Sequence, residues 1–277
     1  MYKEAEERKL GFEGRTRSRY LLAFLKGDEA QMAQLASTTM GRRGDEDAML
    51  AAQADTETWY GRLKNARELT RRAMDSAERN DAKETAPGYR AEAALFEVDA
   101  GNREQGRADA DAAMKLAPNR DVQEIAAVAL ARAGDTVGAS KLADELDKTF
   151  PLDTIVQSYW LPVIRAAVAL QRKDPRRTIE LLQVVGNMEL AASGCSQPIF
   201  RGEAYLQLHD GNRAAAEFQK YIDHRGLVRN LAWGALARLG LARAYAMQSD
   251  TTKARAAYQD FLTLWKEPRL NTRSSNN

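Results

Sequence analysis

Seven turn-forming positions set the layout of this chain: Gly27, Gly61, Gly101, Gly134, Lys173, His209 and Ser249. Each stands at the joint of two helical patterns, five residues before a small or mid-sized residue: Met32, Ala66, Gly106, Ala139, Thr178, Ala214 and Ala254. Successive turns lie 34, 40, 33, 39, 36 and 40 residues apart, the period of a stacked helix-turn-helix array. One such unit cannot bury its apolar face alone, so neighbours must stack into a shared core. The fold expected is an all-α, right-handed α-solenoid of about seven helical hairpins. The spacing predicts helix pairs near 17–40, 46–79, 85–117, 120–149, 154–185, 197–224 and 230–266.

Composition agrees. Hydrophobic residues make up 44% of the 277, and only 7 are proline, enough apolar material for an elongated helical core. The 41 basic and 39 acidic residues leave a net charge of +2, with no long basic run, so no nucleic-acid partner is expected. Cys195 is the only cysteine and rules out an internal disulfide. No apolar run approaches the roughly 20 residues that cross a bilayer. With Glu4, Glu6 and Glu7 at the start, the first residues do not read as a signal peptide. A cytoplasmic location is the first expectation, and the outer side of a membrane-anchored longer protein the alternative.

The last unit shows the pattern best. Leu241, Ala242, Tyr245, Ala254, Tyr258 and Phe261 fall where a tetratricopeptide repeat places its core. Ala242 and Ala254 let paired helices touch, and the aromatic residues fill the space between hairpins. Gly202, Tyr205, Ala214, Phe218 and Tyr221 repeat the offsets one unit earlier. Pro118 and Pro151 stand where second helices should stop, and Pro175 where one should start. Residues 1–10 read as the end of an incomplete upstream repeat, 11–267 as the array and 268–277 as a disordered polar tail. Two uncapped ends suggest a fragment of a longer protein and self-association through exposed apolar faces.

Longer strings carry a family resemblance. Tyr159-Trp160-Leu161-Pro162-Val163-Ile164-Arg165-Ala166, Arg201-Gly202-Glu203-Ala204-Tyr205 and Leu239-Gly240-Leu241-Ala242-Arg243-Ala244-Tyr245 resemble the C-terminal tetratricopeptide region of large bacterial serine/threonine protein kinases of Acidobacteria-like lineages. Ala254 to Tyr258 and Leu264-Trp265-Lys266 continue it. The resemblance implies a non-catalytic regulatory or sensor module, a protein-interaction scaffold beside a kinase domain. The same region also follows winged-helix domains in some transcriptional regulators, and a gene remnant without a role of its own is a further alternative. After Lys266 the sequence departs from that pattern. No His-Arg-Asp or Asp-Phe-Gly triplet occurs in the chain, so phosphoryl transfer is not expected of it.

No enzyme, cofactor or metal site is expected. His209 and His224, beside Asp210 and Asp223, read as turn and helix-end residues rather than metal ligands. Cys195 reads as an incidental loop thiol with no histidine held near it. The numerous acids, interleaved with arginine and lysine, read as solvated helical faces. A glycosidase-type acidic pair would require a closed helical toroid. Counting back from each turn places Leu170, Gln171, Glu203, Gln207, Arg243 and Met247 on a concave strip, with Trp160 and Trp59 also facing inward. Aromatic, arginine and methionine side chains anchor interfaces, so the expected partner is a protein or peptide held in an open concave groove.

Overall fold

The computed structural model of the chain describes residues 15–189 and 196–265. Among the described residues there are fifteen α-helices and no strand. Fourteen of them pair into seven hairpins: α1 (Arg15–Lys26) with α2 (Glu29–Thr39), α3 (Glu46–Trp59) with α4 (Leu63–Arg79), α5 (Thr85–Asp99) with α6 (Arg103–Leu116) and α7 (Arg120–Ala133) with α8 (Thr136–Thr149). Then come α9 (Leu161–Gln171) with α10 (Pro175–Gln183), α11 (Gln197–Gln207) with α12 (Gly211–Asp223), a short α13 (Arg225–Val228), and α14 (Ala232–Met247) with α15 (Thr251–Leu264). Consecutive helices pack on one another in chain order, the arrangement of an all-α helical-repeat solenoid.

The seven turns are built alike. Gly27, Gly61, Gly101 and Gly134 have φ of 71°, 72°, 97° and 104°, and Lys173, His209 and Ser249 have 63°, 57° and 60°. This left-handed conformation lets the next amide reach back over the helix end. Asp28 N thus bonds Ala23 O, and the equivalent amides of Arg62, Asn102, Asp135, Asp174, Asp210 and Asp250 bond carbonyls at the same five-residue separation, all at 2.8–3.0 Å. In five turns that next residue is an aspartate whose carboxylate caps the second helix. Asp28, Asp135, Asp174, Asp210 and Asp250 accept from the backbone N–H of Gln31, Gly138, Arg177, Arg213 and Lys253. One dipeptide therefore ends one helix and starts the next.

The small residue five positions after the turn is where the two helices of a hairpin touch. Ala139, Thr178 and Ala214 are fully buried. At Gly106 an added Cβ would stand 2.3 Å from the Val98 side chain and 2.6 Å from the carbonyl of Ala94. Between hairpins, the Phe218 ring is wedged so closely that a Cβ at Gly202 or at Gly240 would lie 2.6 Å from it. Tyr205 and Tyr245 are half-buried beneath Arg213 and Lys253, whose cationic groups sit 4.7 and 5.6 Å from the ring centroids. Tyr258, expected in the core, is 37% exposed, while Phe261 on the same helix is buried.

The fifth hairpin departs from regular geometry. Val156–Trp160 forms a π-helical segment leading into α9, with Leu161 N–H bonded to Val156 O. Pro162 has no N–H to offer the carbonyl four residues back, and widening the helix accommodates the loss.

The array does not remain open. Hairpin seven returns to hairpin two, and α14 packs on α3. Gly234 makes this approach possible, since a Cβ there would stand 2.2 Å from the Trp59 indole. Asn230 Nδ2 donates to Ala52 O at 2.8 Å and to Thr56 Oγ1 at 3.0 Å, and Trp265 Nε1 donates to Trp59 O at 3.0 Å. Phe24 meets Trp59 edge-on at 5.4 Å. One apolar core runs from Phe24 to Ala257. The open concave groove is therefore corrected: Trp59 faces inward but is buried as the keystone of a seam, with α14 occupying the space a ligand would need. The N-terminal half-repeat, Cys195 and the polar tail lie outside the described residues.

Candidate functional site

Curling brings the first helices of the hairpins around a chamber of about 150 Å³. Its wall takes Arg17 from α1, Asp55 from α3, Glu92, Leu95 and Phe96 from α5, and Ile125 and Val128 from α7. Trp160, Ser196 and Trp233 complete it, with Arg229 and Leu231 from the segment before α14. Relative to the turn, Asp55, Leu95 and Val128 all stand six residues back, and Glu92 and Ile125 nine back. A single helical face, repeated from hairpin to hairpin, supplies this part of the wall.

Four of the lining groups are charged. Arg17 and Glu92 retain more than a third of their surface accessible, and Asp55 and Arg229 are half-buried. Among the described residues, none of these four side chains forms a hydrogen bond or a close ion pair. Burial drives the Asp55 carboxyl well above the ordinary carboxylate range, and the charge of Glu92 adds to this while Arg17 and Arg229 oppose it. Glu92 is raised for the same first reason, with Arg17 opposing. Both acids also line a crevice of about 30 Å³ between α3, α4 and α5. Ionising one of the pair makes ionising the other harder.

Beside the chamber lies a network that is fully paired. Asp99 Oδ1 accepts from Arg132 Nε at 2.5 Å and Asp99 Oδ2 from Trp233 Nε1 at 2.5 Å. Arg132 also grips Glu203 through both terminal nitrogens, at 2.9 and 3.1 Å, and lies over the Phe200 ring at 4.9 Å. The network joins hairpins three, four, six and seven. Burial pushes the Asp99 carboxyl upward against the pull of Arg132 and the indole N–H, while Arg132 is held firmly protonated by its two carboxylates.

The residues expected on a concave strip distribute as follows. Trp160 lines the chamber and meets Tyr159 edge-on at 5.2 Å. Glu203 is held by Arg132, Gln207 Nε2 donates to Leu170 O at 3.2 Å, and Gln171 approaches Gly134. Leu170 is buried and lines no free surface. Arg243 and Met247 are exposed. The expected strip took its residues from the last three hairpins, with Trp59 alone from hairpin two. Extending the six-back offset of Glu203 and Arg243 to hairpin two would have found Asp55; Glu92 stands nine back, an offset that none of the expected residues shares. Asp99, with its side chain 1% exposed, and the half-buried Asp55 correct the expectation that the acids occupy solvated faces.

His209 and His224 are exposed at a turn and a helix end. Among the described residues no cluster of histidine, cysteine and acids could hold a metal, and no helix is long and apolar enough to cross a membrane. No protein-family model and no curated protein matches the chain.

Proposed function

We propose that the chain is a non-catalytic protein-interaction module, the regulatory part of a larger serine/threonine kinase-like protein. The observation supporting this is architectural. Seven hairpins with a common turn and a common inner face form a rigid frame, and such frames present contact surface built up unit by unit. Arg243 and Met247 are exposed on the first helix of the last hairpin, and both are side-chain types that anchor interfaces. The test is capture of a partner by the parent and by an Arg243→Glu, Met247→Ala variant. Loss of the partner supports the reading; undiminished recovery removes this face from it.

A second reading is favoured by the raised carboxyls of Asp55 and Glu92 in one aromatic-walled chamber, which suits acid–base chemistry. Hydrolysis of nitrophenyl glycosides by the parent but not by Asp55→Asn would support it. No turnover by the parent would remove it.

A further inference from the structure

We propose that the chamber is a binding site for a small zwitterion, a free α-amino acid whose ammonium sits by Asp55 and Glu92 and whose carboxylate sits by Arg17 and Arg229. This goes beyond the partner-binding reading and does not depend on it.

Three observations converge. The first is charge without internal pairing. Two acids and two arginines face one cavity, and among the described residues none has a close ionic or hydrogen-bonding partner. Polar groups that line a cavity normally find partners in the protein or in water. Arg17 and Arg229 act on Asp55, and Arg17 on Glu92, without a close ion pair, so hydrogen-bonding capacity of both signs is left for a ligand. A ligand with an ammonium and a carboxylate uses both, its cation favouring the ionised form of the two acids.

The second is the apolar lining that shares the chamber with the charges. Phe96 and Trp233 meet edge-on at 6.3 Å, and Trp160, Leu95, Ile125 and Val128 complete the surface. Aromatic faces attract an ammonium group as well as apolar bodies, which fits an amino acid with a hydrophobic or aromatic side chain. The third is size. At about 10–15 Å³ of such free volume per water, 150 Å³ holds roughly ten to fifteen waters, room for one amino acid together with several waters and too little for a folded segment.

The groups come from hairpins one, two, three and seven, those that meet at the seam. A ligand touching all four would fasten the closed form and slow its opening. Binding energy spent there couples occupancy to the frame's rigidity.

The experiment is calorimetric titration of the full chain with the twenty L-amino acids, followed by the amide and the N-acetyl derivative of the tightest binder. The expected result is saturable binding of at least one amino acid, weakened about tenfold or more by either modification, as for loss of a charged hydrogen-bonded contact. In Arg229→Gln the parent amino acid should bind no better than its amide. In Glu92→Gln it should bind no better than its N-acetyl derivative. Both sites are partly accessible, and circular dichroism checks their folding; should either variant misfold, the derivatives on the parent protein still decide. Hydrogen exchange should slow in α1, α3, α5 and residues 229–231 on binding. Absence of binding by every amino acid at millimolar concentration overturns the proposal, as do derivatives that bind as tightly as the parent compound. Capture of a protein partner through Arg243 and Met247 is unaffected by either result, so the two readings fail separately.

Discussion

Replacing Arg132 with methionine should cost more stability at pH 8 than at pH 5. The Asp99 side chain is 1% exposed and that of Arg132 14% exposed. Without the guanidinium, Asp99 keeps only the Trp233 indole N–H, so its charge is left almost unmatched. Breaking a buried pair from one side typically costs about 3–5 kcal/mol, while Glu203, a third exposed, rehydrates and adds little. Asp99 can escape by taking up a proton. Its folded pKa is already raised by burial and rises further once Arg132 is gone. For an acid raised above its unfolded value near 3.9, stability falls as pH climbs from there toward the folded pKa. The penalty should therefore be small near pH 4 and grow as pH rises. With an m-value near 3 kcal/mol/M in urea, it moves the midpoint by about 1–1.7 M. Adding Asp99→Asn should recover most of the loss, giving a coupling energy of about 2 kcal/mol or more. A loss below about 1 kcal/mol at pH 8, unchanged at pH 5, would show that this network is not the sealed joint described.

Further outcomes follow from single contacts. Gly234→Ala gains about 1 kcal/mol of helix propensity but drives a Cβ into Trp59; a net loss of about 1–3 kcal/mol by thermal denaturation is expected, and a stabilised variant would deny the seam its tight contact. Glu124 is 3% exposed, and burial raises its pKa from 4.5 to about 8. Because the folded value lies above the unfolded one, stability drops between those pH values, so Glu124→Gln should add about 2–3 kcal/mol at pH 7 and nothing at pH 4. Equal effects at both pH values would contradict that assignment. Lys173→Gly, His209→Gly and Ser249→Gly each relieve a left-handed non-glycine residue and should each stabilise by about 0.5–1 kcal/mol, read as additive rises in Tm.

The hairpins were legible because their signals are local. A turn residue and a small residue five positions on report a contact closed within one unit, and Pro118 and Pro151 mark ends just after Leu116 and Thr149. Closure was not legible. Trp59 meets Trp265 across 206 positions and Asn230 meets Ala52 across 178, and no periodicity encodes which distant faces curvature will bring together. Trp59 was placed on the right side of its helix, yet whether that side meets solvent or α14 depends on the summed curvature of five hairpin steps. The chamber acids were missed for a simpler reason. Asp55 carries the six-back offset of Glu203 and Arg243, and Glu92 lies nine back on the same face, but charged residues on helices are mostly solvated, and only closure turns that face onto the chamber.

Closure itself is best tested by distance. Spin labels at Lys64 and Leu262, both exposed, flank the contact between Gly61 and Trp265 in a Cys195→Ser background. Pulsed electron resonance should report one narrow population below about 25 Å, since neighbouring helices pack about 8–10 Å apart and each label adds several ångströms. Five hairpin steps of about 9 Å laid out without closure would give a separation of roughly 40–50 Å instead. A population at that longer distance would contradict the ring, and with it the chamber.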